Sequence, residues 1–295
     1  MNKLVVILGP TSSGKSALAI NLAKKFKGEI VSADSRQVYK RMNIGTGKVT
    51  KKEQKQVRHH LLDVVDPKKS FTVAEYKTLA SKAIENIRKK KKLPFLVGGS
   101  PFWIYALIDD LQIPQVKPNP KLRKELAKKS TIQLFAMLKR LDPKRAQNID
   151  RHNPLRLIRA IEIIKATGQP IPEFKNQKTN QALIIGIKKS QAQLHKLIDQ
   201  RLIERLNSGM VDEVKKLLKQ KISHKRLQEL GLEYRFVSLY LQGHLDYNAM
   251  VKQLQNAIHK FSKRQMTWFK TDTRINWISK EKQARNLINK YLRSY

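Results

Sequence analysis

Gly9-Pro10-Thr11-Ser12-Ser13-Gly14-Lys15-Ser16 has the spacing G-x-x-x-x-G-K-[ST], the pattern of a loop that cradles phosphate. Backbone N–H groups of such a loop, with the N-terminus of the helix it opens, point at the anion. Lys15 adds a point charge, and the Ser16 hydroxyl is suited to ligate Mg²⁺. The pattern calls for a phosphate or pyrophosphate ligand and leaves open whether that ligand is ATP. A second chemical string, Ser32-Ala33-Asp34-Ser35-Arg36-Gln37, follows an apolar run. Asp34 there suits a general base, a metal partner, or simply the cap of the next turn, and Arg36 suits a phosphate contact. Gly98-Gly99-Ser100 ends another apolar run. Glycines at such a place let backbone approach a ligand and Ser100 could bond to it, although an ordinary strand-to-helix turn reads the same way. A nucleotide hydrolase also needs an acidic Mg²⁺ partner at a further strand end. Asp63 and Asp66 are the candidates, and neither ends a hydrophobic run in the required manner, which weakens an ATPase reading. His59 and His60 are adjacent, and adjacent side chains of an extended chain point apart, which argues against a shared metal.

Basic residues form a second theme. Arg156 and Arg159 stand i, i+3, with Leu155, Leu157, Ile158 and Ile161 completing an apolar face. Arg201 and Arg205 stand i, i+4, and Lys260, Lys263 and Arg264 adjoin Phe261, Trp268 and Phe269. Cations interleaved with aromatics suit backbone phosphates and stacked, unpaired bases. A solvated basic face over a core-facing aromatic stripe has the same sequence signature.

These residues need a scaffold. Short apolar runs at Leu4–Leu8, Glu29–Ala33, Leu61–Val65, Leu93–Val97 and Ala182–Ile187 read as strands, with Ile275–Ile278 as a final one. Helical spacing follows the first run at Ser16–Phe26. Thr72 and Glu75 form a capping box for a helix to about Lys90. Alternating buried strands and helices predict an α/β fold with a doubly wound parallel sheet, which brings the phosphate loop and Asp34 to one carboxyl edge. Pro114, Pro118 and Pro120 mark a linker, after which the pattern is purely helical. Asn153 and Pro154 suit N-cap and N1 of a helix running to Gly168, and Pro170 and Pro172 end that stretch. Long helices are expected over about 190–220 and 247–270. The predicted organisation is a P-loop core of residues 1–114 and 181–295, interrupted by a helical insertion at 115–180.

Composition sets the outer limits. The 295 residues carry 61 Lys and Arg against 23 Asp and Glu, a net charge of +38, so a polyanion is the first candidate partner. A Lys-rich bias that merely keeps the chain soluble would give the same number. The absence of Cys excludes disulfides, thiolate zinc sites and a cysteine nucleophile. No apolar run is long enough to span a bilayer and no cleavable signal pattern is visible, so a cytoplasmic protein without a membrane partner is expected.

Taken in order, the motifs resemble those of the tRNA dimethylallyltransferase family, also called tRNA isopentenylpyrophosphate transferases. The resemblance rests on Gly9–Ser16, Asp34-Ser35-Arg36-Gln37-Val38-Tyr39, Ile44-Gly45-Thr46-Gly47-Lys48, His59-His60-Leu61-Leu62-Asp63 and Val97-Gly98-Gly99-Ser100. It continues through Asn153–Glu162, Arg201 with Asn207-Ser208-Gly209, and Lys263-Arg264-Gln265-Met266-Thr267-Trp268-Phe269. One departure is visible: the family has Thr then Gly-Leu-Tyr after the paired glycines, and here Ser100-Pro101-Phe102-Trp103 stands. The resemblance implies transfer of a dimethylallyl group from dimethylallyl pyrophosphate to N6 of adenine 37 of tRNA, with Mg²⁺. It implies Asp34, Thr11 and Arg201 as catalytic residues and Gly9–Ser16 as the pyrophosphate loop. For the anticodon stem-loop it implies Asp34, Ser35, Arg36, Gln37, Ser100, Arg123, Leu155, Arg156, Leu157, Ile158, Arg159, Lys263, Arg264, Gln265 and Trp268, in an enzyme acting as a monomer. A small-molecule P-loop kinase and a non-catalytic RNA-binding protein are the rival readings.

Overall fold

The computed structural model describes residues 3–172 and 182–294. The chain forms two compact units, one of residues 1–109 and 178–295 and one of residues 110–177.

The first unit is built on a parallel sheet of β1 (Val5–Leu8), β2 (Gly28–Ala33), β3 (His59–His60), β4 (Leu93–Gly98), β5 (Leu183–Ile187) and β6 (Asn276–Ile278), in the order β3-β2-β4-β1-β5-β6. Both faces are covered, which is why the central strands are nearly all apolar. Alternate side chains part to opposite faces. Val6, Leu8, Val31, Ala33 and Leu96 enter one core, whereas Val5, Ile7, Ile30, Phe95 and Val97 enter the other.

Helices α1 (Lys15–Lys25), α2 (Lys51–Gln56), α3 (Val73–Lys89) and α4 (Pro101–Ile108) connect the first four strands and follow the last of them. The expected capping box opens α3, with the Thr72 side chain accepting from Glu75 N–H and the Glu75 side chain reaching back. Ser100 and Pro101 take the N-cap and N1 places of α4, where a proline costs no hydrogen bond. The departure at Ser100–Trp103 is therefore accommodated. Its Trp103 stacks on Tyr76 at 4.2 Å and meets Phe71 edge-on.

Two expectations change. Leu61–Val65 is not a strand: Leu61 and Asp63 take φ of 64° and 57°, which breaks an extended chain. Pairing with Ile30 and Val31 falls instead to His59 and His60. The helix expected over 190–220 is two helices, which we number after the second unit's.

The second unit holds α5 (Pro120–Leu126), α6 (Thr131–Leu141), α7 (Pro143–Asn148) and α8 (Pro154–Thr167). Asn153 caps α8 by accepting from Arg156 N–H, and Gly168 ends it at φ 66°. Leu134, Leu138, Leu157, Ile158 and Ile161 form its core.

After β5 come α9 (Gln191–Asn207) and α10 (Met210–Lys219), parted at Ser208-Gly209 where Gly209 sits at φ 92°. Then follow α11 (His224–Leu230), α12 (Leu232–Leu241), the long α13 (Tyr247–Lys270) and, after β6, α14 (Glu281–Arg293). None of the helices among the described residues is long and apolar enough to cross a membrane.

Candidate active site

Three strand ends are level in the sheet. Leu8 is in register with Gly98, and Gly98 with Ala33, so Gly9, Asp34 and Gly99 leave the same carboxyl edge. The phosphate loop turns there into α1, with Gly14 at the N-cap. Asp34 Oδ1 accepts from Arg36 N–H at 2.9 Å and Gln37 N–H at 3.3 Å. Capping and chemistry are thus not alternatives for this residue: one oxygen fixes the turn, and the carboxylate still lines a cavity of about 470 Å³. Ser35 N–H donates to Ser100 Oγ at 3.1 Å, which ties the β2 and β4 edges together.

Thr11, Lys15, Asp34, Arg36 and Arg205 face this cavity, all from the first unit. A second cavity of about 770 Å³ is lined by Ser16, Gly47, Lys48, Arg201 and again Arg205. The phosphate loop is therefore open to two compartments, with the arginine of α9 common to both.

The cations bear on one another. Burial pulls the Lys15 ammonium down to about 8, against the pull of Asp34, and Arg201 and Arg205 push the same way. Burial and then the neighbouring Arg205 lower Arg201 to about 10. Burial lowers Arg36 as well, with Tyr39 and Asp34 opposing. Mutually repelling, desolvated cations gathered at one phosphate loop suit a multiply charged anion, whose binding would relieve the repulsion. Glu233, held to Arg205 at 2.9 Å, is itself raised by burial more than that arginine lowers it.

The arginines rest on a loop. Arg201 Nη2 donates to Gly47 O and Arg205 Nη1 to Gly45 O, both at 3.4 Å. Gln37 Nε2 donates to Gly47 O at 3.3 Å. Gly47 has φ +56°, and a Cβ there would lie 1.8 Å from Arg205 Nη2, so only glycine lets the guanidinium seat.

α13 brings Phe261 and Arg264 to the first cavity, the guanidinium 5.9 Å from the ring centroid. Lys263 and Trp268 are exposed on the same helix. Gln265 is different. Expected among RNA contacts, it is buried, accepting from Thr11 N–H at 2.9 Å and donating to Gly99 O. Its amide clamps the phosphate loop to the β4 edge, and a Cβ on Gly99 would lie 2.6 Å from that amide nitrogen.

In the second unit the expected RNA set divides. Leu155 is 77% exposed and Arg156 is exposed, but Leu157 and Ile158 are buried in the core because they lie on the inward face of α8. Arg123 and Arg159 both bond Glu162, which is 1% exposed. Burial would raise that carboxyl, and the hydrogen bonds from Arg123, Asn119 N–H and Arg159 overcome it and hold it at about 2. These two arginines are committed to folding their unit.

The remaining candidates are accounted for elsewhere. Asp63 pairs with Lys48 at 2.6 Å, Asp66 with Arg41, and His60 with Glu29 at 2.7 Å. Glu213, Glu233 and Tyr234 carry no functional signal in the sequence, since a lone acid in an amphipathic helix reads as solvated surface and a lone tyrosine as core.

The IPP transferase family model matches residues 37–272. The chain belongs to that family. "tRNA dimethylallyltransferase 2" of Trichlorobacter lovleyi is 41% identical over 279 residues, covering 93% of this chain and 91% of that protein. The tRNA dimethylallyltransferase of Anoxybacillus flavithermus is 36% identical, with coverage of 93% and 89%. Among solved structures, the full-length tRNA isopentenylpyrophosphate transferase of Bacillus halodurans superposes with a TM-score of 0.75 at 33% identity, over 99% of this chain and 97% of that one. The kinase reading has no support in these likenesses.

For an IPP transferase, the Gln265 clamp makes a direct prediction. Gln265→Glu cannot donate to Gly99 O and sets a carboxylate against a carbonyl. Leaving such a buried group unpaired costs about 1–3 kcal/mol, seen as a lower urea midpoint. An unchanged midpoint would remove the clamp.

Proposed function

We propose that this transferase moves a dimethylallyl group from dimethylallyl pyrophosphate to N6 of adenine 37 in a tRNA anticodon loop and releases pyrophosphate. The observation that carries the reading is the meeting of the phosphate loop, Asp34 and the α9 arginines at one sheet edge, between two cavities. Loop N–H groups, Lys15, Arg201 and Thr11 would hold the pyrophosphate, stabilising its charge as the allylic C–O bond breaks. The exocyclic amine of adenine is weakly nucleophilic, because its lone pair is delocalised into the ring. Asp34 would orient one N6–H and take that proton as the N6–C bond forms, then release it to solvent.

Adenine must leave its stack to reach Asp34. Phe261 and Arg264 at the cavity offer a stacking face and a cation for the extruded nucleotide; Ser35, Arg36 and Ser100 line the same cavity, Gln37 is turned to the Gly47 carbonyl, and Lys263 and Trp268 are exposed on α13. Leu155 and Arg156 are the second unit's exposed candidates. Among the described residues no three His, Asp or Glu converge as a metal cage. Ser16 lines the second cavity beside the phosphate loop, so its hydroxyl is the group of this chain that would hold a Mg²⁺ there. Bound there, the ion would neutralise part of the leaving-group charge. Every group in this scheme comes from one chain, which supports a monomer, and a tRNA substrate supports a cytoplasmic setting.

The test is mass analysis of an anticodon stem-loop incubated with protein, Mg²⁺ and dimethylallyl pyrophosphate. A dimethylallyl gain at adenine 37 is expected, and its absence overturns the reading. Arg156→Ala is expected to weaken stem-loop binding and to reduce the salt slope by about one. An unchanged slope would take Arg156 out of the interface.

A further inference from the structure

Glu213 is a buried carboxylate with no part in the chemistry above. It lies in the first turn of α10, 9% exposed, and no ion pair holds it among the described residues. Instead it collects donors from one short stretch of backbone. Its Oε2 accepts from Asn43 N–H and Ile44 N–H, both at 2.8 Å, and its Oε1 accepts from Gly45 N–H at 3.1 Å. The Tyr234 hydroxyl donates to Oε1 at 2.7 Å. Successive N–H groups wrapped around one anion form a nest, and a buried carboxylate satisfied in this way is costly to disturb.

What the nest holds is the wall between the two cavities. Gly45 and Tyr234 line the first, and Asn43, Ile44 and Gly47 line the second. The same loop turns its Gly45 and Gly47 carbonyls to Arg205 and Arg201. Those contacts are long, at 3.4 Å, so the arginines do not fix the loop; it is held by its own turn, with Thr46 Oγ1 donating to Met42 O at 2.8 Å and Lys48 N–H to Asn43 O at 3.0 Å, and anchored to the rest of the unit by the bonds to Glu213. The loop also has no slack against its neighbour, since a Cβ on Gly45 would lie 2.7 Å from the Tyr234 ring.

We propose that Glu213 is the positioning residue for the arginine pair, pinning residues 43–45 so that the loop presents its Gly45 carbonyl to Arg205, whose other side is held by Glu233, and its Gly47 carbonyl to Arg201, at the pyrophosphate. The inference rests on the proposed function for the identity of the anion. Glu213 touches no substrate and acts only through the loop.

The deciding variant is Glu213→Gln, which keeps the volume but turns an amide NH₂ toward backbone donors. Inorganic pyrophosphate binding by calorimetry, the KM for dimethylallyl pyrophosphate and the stem-loop Kd are measured together. Small misplacements of charge-stabilising groups are amplified, so pyrophosphate Kd and donor KM are expected to rise about tenfold while stem-loop Kd stays within about twofold. Val214→Ala, which opens a cavity beside Glu213 in the same helix, is expected to lower thermal stability with pyrophosphate Kd unchanged. Should Glu213→Gln fail to fold, Tyr234→Phe removes one donor and is expected to raise pyrophosphate Kd about two- to threefold. Wild-type pyrophosphate affinity in Glu213→Gln, or in Tyr234→Phe where it stands in, overturns the role. An equal rise in Val214→Ala overturns it too, by showing that any loosening of α10 suffices. A wild-type chain that binds pyrophosphate but does not prenylate the stem-loop leaves this role measurable and defeats only the proposed reaction.

Discussion

Asp34→Asn is expected to abolish prenyl transfer almost completely while leaving stem-loop binding intact. A positioned general base contributes about 10²–10⁴-fold, and asparagine cannot accept the N6 proton. Asparagine is the sharper substitution because Asp34 also caps its turn. Its Oδ1 caps the turn through Arg36 N–H and Gln37 N–H, and an amide oxygen can keep both bonds. Asp34→Ala loses the cap as well, freeing the turn that carries Arg36 to the cavity. Transfer is therefore expected to be lost in both variants, with the larger rise in stem-loop Kd in alanine. Single-turnover rates alongside stem-loop Kd separate the two effects. Full transfer by the asparagine variant would refute Asp34 as the base.

Lys15 gives the second large effect, and it carries a pH signature. Removing one preorganised charge-stabilising donor costs about 10²–10³-fold in rate, and Lys15→Ala should fall in that range. Burial, reinforced by Arg201 and Arg205, brings the unliganded ammonium to about 8. The sign follows from which form binds the anion. Below that value Lys15 is charged before pyrophosphate arrives; above it, the protein must take up a proton to bind. Pyrophosphate affinity should therefore fall as pH rises through about 8, and calorimetry in buffers of different ionisation enthalpy should show proton uptake above it. Titration of pyrophosphate itself adds its own slope, so the comparison is with Lys15→Ala, in which the lysine part vanishes. Identical slopes in the two proteins would exclude Lys15 as the titrating group.

The sequence by itself determined the phosphate-loop motif, the α/β core, the strands other than β3, and the helices α1, α3 and α13. The reason is that these signals are local. G-x-x-x-x-G-K-S after an apolar run has one reading, and a capping box such as Thr72–Glu75 is complete within four residues. It also ordered the motifs well enough to point to the family that residues 37–272 match. Where local signals conflicted it failed: Leu61–Val65 has strand composition, yet two residues at positive φ turn it away from the sheet.

Only the tertiary structure decided which charged and polar residues gather at the sheet edge and which hold the frame. Arg123, Arg156 and Arg159 are equivalent on paper, but the buried Glu162 captures the first and last and leaves Arg156 exposed. Gln265 sits in a basic, aromatic string and still turns inward, because Thr11 N–H and Gly99 O offer it both halves of an amide's hydrogen bonding. Glu213 carried no sequence signal at all, since its backbone partners lie 168 to 170 residues earlier in the chain and Tyr234 lies 21 residues later. Pairing across such separations is set by how strands and helices pack, and burial then makes each unpaired group too costly to leave. The net charge of +38 named no residue; packing gathered some cations at the sheet edge, tied others into the frame and left the rest at the surface.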